Sequence, residues 1–225
     1  MTHLSAQDKK DVIKKVETYV QKLLAKEKAA HDWYHINHVR IVALKIAKQE
    51  GADAFLTELM ALLHEGSDRK IVGEQHAKKA LLKLHKFLAD LNISEDQIEE
   101  IIYVIDNQSY SKSGISGQKL DSLAGLCMQD ADRLEAIGAI GMARCFAYNG
   151  KLGNPIHDPT ILPREKIDAK EYKKDIATSI NHFYEKLLKL KDLMNTKEGK
   201  KLAANRHKFM ENFLKEFYAE WDGLK

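Results

Sequence analysis

The sequence predicts an all-α fold, and three observations support it. All three prolines, Pro155, Pro159 and Pro163, lie within nine residues of a 225-residue chain. Helices exclude proline because it lacks a backbone N–H and clashes with the preceding turn. The long stretches on both sides are rich in Ala, Leu, Lys and Glu, which favour helices. No segment alternates polar and apolar residues in the way that a half-buried strand would.

Apolar residues spaced by three and four positions place the individual helices. Ser94 with Gln97 three positions later predicts a capping box at one helix start. The predicted helical segments are 13–23, 35–46, 55–64, one starting after Ser94, a long central helix from Leu123 to Phe146, one from Ile176 to Met194, and one near 201–221. Two segments rich in Ser, Gly or Pro, 109–120 and 149–164, are predicted loops and candidate walls of a pocket.

Composition narrows the class of protein. Hydrophobic residues make up 44% of the chain and charged residues 31%, which is typical of a globular domain and not of a disordered one. We expect a single domain over 1–225, with a motif-bearing core at about 28–150 and C-terminal helices at about 165–222. Cys127 and Cys145 do not suggest a disulfide framework. There is no Gly-rich phosphate loop of the P-loop or Rossmann kind.

The same features predict the cellular location of the protein and its classes of partner. Without a signal peptide or a run of 18 apolar residues, we expect a cytoplasmic protein with no membrane partner. A net charge of +3 is too balanced to indicate nucleic acid, and no aromatic platform accompanies the lysine-rich helices. The amphipathic C-terminal helices leave a homodimer open.

Three polar clusters interrupt otherwise apolar helices, at residues 31–40, 62–68 and 129–134. His35 shares a helical stripe with Val39 and Val42, so we expect it to face the core. Buried imidazoles and carboxylates are costly unless they are paired or bound to metal. The clusters are therefore expected to meet at one site. Two histidines with carboxylates suit a divalent metal ion such as Mn, Ni, Co, Fe, Zn or Mg.

The stretches HDWYHINHVR, ALLHEGSD and QDADRLEAIGAIGMAR together resemble the HD-domain superfamily of metal-dependent phosphohydrolases, most of all its small bacterial members. The stretch TSINHFYEKLLKLKDLMNT also fits, and the resemblance extends over residues 28–222. It implies metal ligands at His35, His64 and Asp132. The aspartate of the family's HD pair falls at Glu65, which keeps a carboxylate but adds a methylene, and we expect Glu65 to be a metal ligand together with the other three residues.

Helix periodicity leaves an alternative to Asp132 as the last ligand. Asp130 falls on the apolar stripe with Cys127 and Leu134, whereas Asp132 shares a face with small alanines. The motif match favours Asp132. Asp130 is then expected to support the site, or to bind an arginine or backbone groups.

The resemblance also suggests residues for catalysis and for substrate binding. Asp68, three residues after Glu65, is the candidate for proton transfer. Arg133 follows Asp132, where the family often has a basic residue, and it is a candidate to neutralise phosphate charge. Lys112 in the segment 109–120 and Arg144 are further candidates because of their positive charge. His38 stands where the family carries an arginine, which removes a permanent charge.

We therefore expect a metal-dependent phosphohydrolase that acts on a phosphate ester or anhydride, with a nucleotide as the substrate class that the resemblance implies. The departure at Glu65 leaves one alternative: a catalytically weakened HD protein that binds a nucleotide or partner without turnover. A helical scaffold whose polar clusters are only buried networks is a third hypothesis.

Overall fold

The computed structural model describes residues 4–25, 32–65, 77–165 and 178–225, and every regular element in those ranges is a helix. The predicted all-α fold is confirmed. The elements are α1 (Ala6–Leu23), α2 (Trp33–Glu50), α3 (Ala54–Leu63), α4 (Ala77–Asp90), α5 (Glu95–Asn107), a π-helix (Tyr110–Ile115), α6 (Leu123–Glu135), α7 (Gly138–Leu152), α8 (Ser179–Glu185), a 3-10 helix (Leu187–Leu193) and α9 (Lys197–Trp221). None of the helices described has the length and apolar character needed to cross a membrane.

The chain divides into two compact units, residues 1–129 and 130–225. The boundary falls inside α6, which is one continuous helix. The single domain predicted over 1–225 stays a prediction.

Helix α3 is the centre of the first unit. Its sequence AFLTELMALL is almost wholly apolar, and eight of its ten residues are buried. Helices α1, α2 and α5 pack on it. Each fully buried Leu or Met side chain contributes roughly 1.5–3 kcal/mol relative to an exposed one. The burial of α3 therefore fixes where its C-terminal end lies, and His64 and Glu65 follow directly after that end.

Arg40 links three helices of the first unit. Its guanidinium group lies 2.5 Å from Glu58 Oε1 on α3 and also binds Glu17 on α1. The arginine side chain is 21% exposed, so solvent screens these ion pairs only in part. Arg40 belongs to the first polar cluster of the sequence, where it stabilises packing.

Aromatic rings form the core of the second unit. Phe146 on α7, Phe183 on α8 and Phe213 on α9 contact one another with ring centroids 5.9 Å apart. Helix α9 packs on α7 and on the 3-10 helix, and α8 packs on both of these elements.

The prediction of one helix from Leu123 to Phe146 is wrong. Helix α6 ends at Glu135 and α7 begins at Gly138, whose φ of +75° is a left-handed conformation that favours glycine. At Gly141 a Cβ atom would lie 2.2 Å from the carbonyl carbon of Ala136. The two glycines therefore allow the chain to turn and α7 to pack against the end of α6.

The prediction of one helix from Ile176 to Met194 is also wrong. Ile176 lies outside the described residues. Helix α8 ends at Glu185, and Lys186, with φ −138° and ψ −58°, separates it from the 3-10 helix. The apolar spacing does indicate a buried stripe: Ile180, Phe183, Leu187 and Leu190 are all buried. Periodicity does not distinguish one helix from two consecutive ones.

Two local predictions also need correction. Ser94 does precede α5, but its hydroxyl donates to the Gln97 side chain and accepts no backbone N–H, so the predicted capping box does not form. The segment 109–120, predicted as a loop, contains the π-helix Tyr110–Ile115. Its glycine and serine content gave no signal for that rare conformation.

Asp130 anchors the start of α9. Its side chain is inaccessible to solvent. Its carboxylate accepts hydrogen bonds from the backbone N and the side-chain Nδ2 of Asn195, at 2.9 and 2.8 Å. It also accepts from the backbone N and Oγ1 of Thr196, both at 2.8 Å. Thr196 is the N-cap residue of α9 and accepts from Gly199 N. A Cβ on Gly199 would lie 2.3 Å from Asp130 Oδ2, so this approach requires glycine.

We predict that Asp130→Ala lowers the free energy of unfolding by about 3 kcal/mol or more, because four donors lose a buried charged acceptor. Urea unfolding followed by far-ultraviolet circular dichroism, with chelator present, measures this. Asp132→Ala on the same helix is the matched control and should cost less than about 1 kcal/mol. Equal losses in the two variants would contradict the anchor role.

Candidate metal centre

His64 lies at the C-cap of α3, and its side chain is almost fully buried. Its Nδ1 atom is 2.7 Å from the backbone oxygen of Ala61. A carbonyl oxygen only accepts, so Nδ1 carries the proton. In the neutral ring, Nε2 then presents a lone pair. Metal-binding histidines commonly have this arrangement, in which one ring nitrogen donates to a carbonyl and the other binds the metal.

His35 lies in the first turn of α2 and faces the same point. The Asp32 side chain caps the helix by accepting from His35 N at 3.0 Å, which fixes where the histidine leaves the backbone. His35 Nε2 lies 3.3 Å from His64 Nε2, and the two rings are nearly perpendicular. Its side chain is buried, as its place on the stripe with Val39 and Val42 predicted.

Glu65 brings a carboxylate to the two histidines. Its Oε1 atom lies 3.5 Å from His35 Nε2 and 3.7 Å from His64 Nε2, and the residue is only 5% exposed. The longer side chain of Glu65 therefore still reaches the point where the two imidazoles meet.

Asp132 completes a group of ligand atoms. One atom each from His35, His64 and Asp132 lie within 4.8 Å of one another. Asp132 is on α6, three residues after Gln129, whose amide donates to the backbone oxygen of Gln108 in the first unit. Asp132 is half-buried, in contrast with the fully buried Asp130.

These donors fit a divalent metal ion. Imidazole nitrogen with carboxylate oxygen suits Mn, Fe, Co, Ni or Zn. Two nitrogens that bind one ion at about 2.1 Å lie roughly 3.0–3.4 Å apart for bond angles between octahedral and tetrahedral. The two Nε2 atoms, at 3.3 Å, fall within that interval. The donor set and its spacing therefore match an ion held by His35, His64 and Asp132, with Glu65 beside it.

Several known proteins are similar to this chain in sequence and in fold. A structure of an HD-superfamily hydrolase from Bacillus thuringiensis is 40% identical, covers 95% of this chain and 98% of that one, and has a TM-score of 0.72. A structure from Lactobacillus plantarum is 39% identical, covers 98% and 100%, and has a TM-score of 0.84. The uncharacterized protein YpgQ of Bacillus subtilis (strain 168) is 31% identical over 209 residues, 93% of each chain. No protein-family model matches this chain.

The chain belongs to the HD superfamily. This confirms the family that the three sequence stretches resemble. The similarity to a hydrolase over nearly the full length of both chains supports a general hydrolase role. A structure of YpgQ in complex with ADP is 29% identical, covers 95% of this chain and 100% of that one, and has a TM-score of 0.73.

The candidate residues for proton transfer and for phosphate binding differ in their contacts and in their exposure to solvent. Asp68 lies outside the described residues. Lys112 is on the π-helix, where its Nζ forms an ion pair with Asp106 Oδ2 at 2.9 Å and the side chain stays 29% exposed. Arg133 is 8% exposed, and its guanidinium group donates to the backbone oxygen of Leu193. Arg144 donates to the backbone oxygen of Glu135 at 3.2 Å. Both arginines thus stabilise backbone in the second unit.

No role is predicted for Gln129 from the sequence, although the residue lies in the third polar cluster. A glutamine three positions before a candidate ligand shares its helix face, and that spacing was the available signal. The two cysteines offer no alternative nucleophile: both are buried thiols, and burial raises the pKa of Cys145 to about 11.

We predict that Mn²⁺ at about 100 times its dissociation constant raises the thermal unfolding midpoint of the wild type by about 5–10 °C. His64→Ala should abolish the increase, since it removes a ligand that the folded state presents. Differential scanning calorimetry measures the shift. His85→Ala is the matched control, because His85 pairs with Glu95 at an accessible position. A full Mn²⁺ shift in His64→Ala would contradict the site.

Proposed function

We propose that this HD-superfamily protein is a metal-dependent phosphohydrolase that cleaves a phosphate ester or anhydride of a nucleotide. The observation that carries the proposal is the meeting of His35, His64 and Asp132 within 4.8 Å. The ADP complex of the relative YpgQ supports a nucleotide as the substrate class.

Each residue of the candidate site has a proposed role in holding the ion. His35 and His64 would hold the ion through Nε2, and the Ala61 carbonyl keeps the His64 ring in the required tautomer. Asp132 would supply a carboxylate ligand, and Glu65 adds negative charge beside both imidazoles. When bound, a divalent ion supplies Lewis acidity: it makes water more acidic and offsets charge on a phosphoryl oxygen.

Proton transfer and phosphate binding complete the proposal. Asp68 accepts the proton of the attacking water, a contribution of typically 10²–10⁴-fold in general base catalysis. Among the three basic candidates, Lys112 has the strongest support as a phosphate ligand. Its ammonium group is more exposed than the Arg133 guanidinium, and its Asp106 partner is itself 44% exposed. Arg133 and Arg144 stay candidates with the weaker support, because each already donates to a backbone carbonyl.

We predict phosphate or pyrophosphate release from a nucleotide panel with Mn²⁺, Ni²⁺, Co²⁺ or Mg²⁺ added. His35→Ala should lower kcat/KM by at least about 100-fold, because it removes a ligand to the ion. Coupled colorimetric phosphate detection, with and without added pyrophosphatase, distinguishes the two products. His85→Ala should retain wild-type activity. Equal activity in His35→Ala and His85→Ala would contradict the proposed mechanism.

Variants at Glu65 distinguish an enzyme that turns over its substrate from a protein that only binds it. We predict that the wild type is active and that Glu65→Gln loses at least about tenfold in kcat, since the amide removes the charge beside both imidazoles. Glu65→Asp, which restores the family's residue, should keep turnover. If the wild type binds metal but is inert while Glu65→Asp turns over substrate, the protein is a weakened family member that binds without catalysis.

A further inference from the structure

Asp32 joins the start of α2 to the first candidate ligand. Its backbone is extended, with φ −85° and ψ 176°, and its side-chain Oδ1 accepts from His35 N at 3.0 Å. This is the usual N-cap arrangement, in which a short polar side chain binds the backbone N–H three positions later. The backbone oxygen of Asp32 also accepts from Ile36 N at 3.3 Å. Asp32 therefore closes the turn from which the His35 side chain leaves.

The first turn of α2 depends on Asp32 because the residues that open it stabilise it weakly. Tyr34 is 79% exposed and Trp33 is half-buried, so neither contributes a fully buried side chain. The turn carries no acidic residue to complement the positive end of the helix dipole. Helix α1, by contrast, begins with a capping box in which Ser5 and Asp8 each accept from the other's backbone N–H. At the start of α2, the Asp32 carboxylate supplies both the cap and the negative charge.

The position of His35 matters for metal binding because an ion must bind two helices at once. The Nε2 atoms of His35 and His64 lie 3.3 Å apart, the separation that fits one ion. His64 follows the buried helix α3, whereas His35 lies in a first turn, and helix ends fray. When that turn frays, the His35 ring leaves the point where the two imidazoles meet. An ion then binds only the fraction of molecules with the turn formed, and its apparent affinity falls with that fraction.

We infer that Asp32 is a positioning residue for the metal centre: its N-cap hydrogen bond holds His35 at the distance from His64 at which one divalent ion binds both. Asp32 acts through the backbone of α2, since the ligand atoms that meet within 4.8 Å come from His35, His64 and Asp132. This inference rests on the proposed function and deepens it, because it assigns the residue that organises the first ligand.

Three substitutions of Asp32 separate its cap from its charge. Asp32→Asn keeps a cap of about equal quality and loses the charge. Asp32→Glu keeps the charge, but its longer side chain is not a preferred N-cap, and Asp32→Ala loses both. In isothermal titration of chelator-treated protein with Mn²⁺, we expect Asp32→Asn to bind like the wild type. Asp32→Glu and Asp32→Ala should bind about fivefold more weakly, which is the typical cap contribution expressed as an equilibrium ratio.

Asp53→Ala is the matched control. Asp53 caps α3 in the same way, with its side chain accepting from Leu56 N at 3.0 Å. It lies at the opposite end of α3 from His64, roughly 16 Å away along the helix axis. Asp53→Ala should lower the thermal unfolding midpoint, as Asp32→Ala does, but should leave Mn²⁺ affinity unchanged. Amide hydrogen exchange of the metal-free proteins gives a second measurement: the His35 amide should lose protection in Asp32→Ala and keep it in Asp53→Ala.

Several results would overturn the inference. If Asp32→Asn binds Mn²⁺ as weakly as Asp32→Glu, the charge and not the cap supports the site. The positioning role is also wrong if Asp32→Glu binds like the wild type, or if Asp53→Ala weakens binding as much as Asp32→Ala does. The comparison of Asp32→Asn with Asp32→Glu does not require that Asp32→Ala folds. In each of these cases the proposed function stands, because the wild type binds the ion. If the wild type itself binds no Mn²⁺, the metal centre and the positioning role fail together.

Discussion

The site depends on one hydrogen bond, from His64 Nδ1 to the backbone oxygen of Ala61. It fixes the tautomer of a buried imidazole and turns the lone pair of Nε2 towards His35, 3.3 Å away. The hydrogen bond exists because α3 is buried on nearly every side, which holds its last turn and its C-cap in place. An apolar helix thus presents a polar group at its end, where its backbone carbonyl can orient the ring.

Helix α6 carries two aspartates in different surroundings. Asp130 is fully buried and accepts four hydrogen bonds from Asn195 and Thr196, so its role is to hold the start of α9. Asp132 is half-buried and lies with the two histidines. Two positions along a helix correspond to about 200°, so the carboxylates leave α6 on opposite sides. The D-x-D spacing therefore lets one helix serve both roles.

Much of the fold was predictable because its signals are local. The clustering of Pro155, Pro159 and Pro163 and the apolar periodicity predicted the all-α class. The break between α6 and α7 was not predictable, because Gly138 and Gly141 act through a left-handed turn and a close backbone approach. Periodicity carries no information on either. The division of Ile180 to Leu190 between two helices was missed for the same reason.

At the candidate site too, the sequence motif predicted some features, whereas others depend on packing and were not predictable. Motif resemblance alone predicts that His35, His64 and Asp132 lie together, since family patterns encode which side chains meet. It did not indicate that Arg133 donates to the backbone of Leu193, because that contact is made between residues 60 positions apart.

We propose above all that His35, His64 and Asp132 bind one metal ion. Anomalous diffraction from crystals of the protein grown with Mn²⁺ tests it most directly. We predict one manganese peak per chain, bonded to Nε2 of both histidines and to an Asp132 oxygen, with Glu65 adjacent. A peak bonded to Asp130 in place of Asp132, or no peak near the two histidines at saturating Mn²⁺, would contradict it.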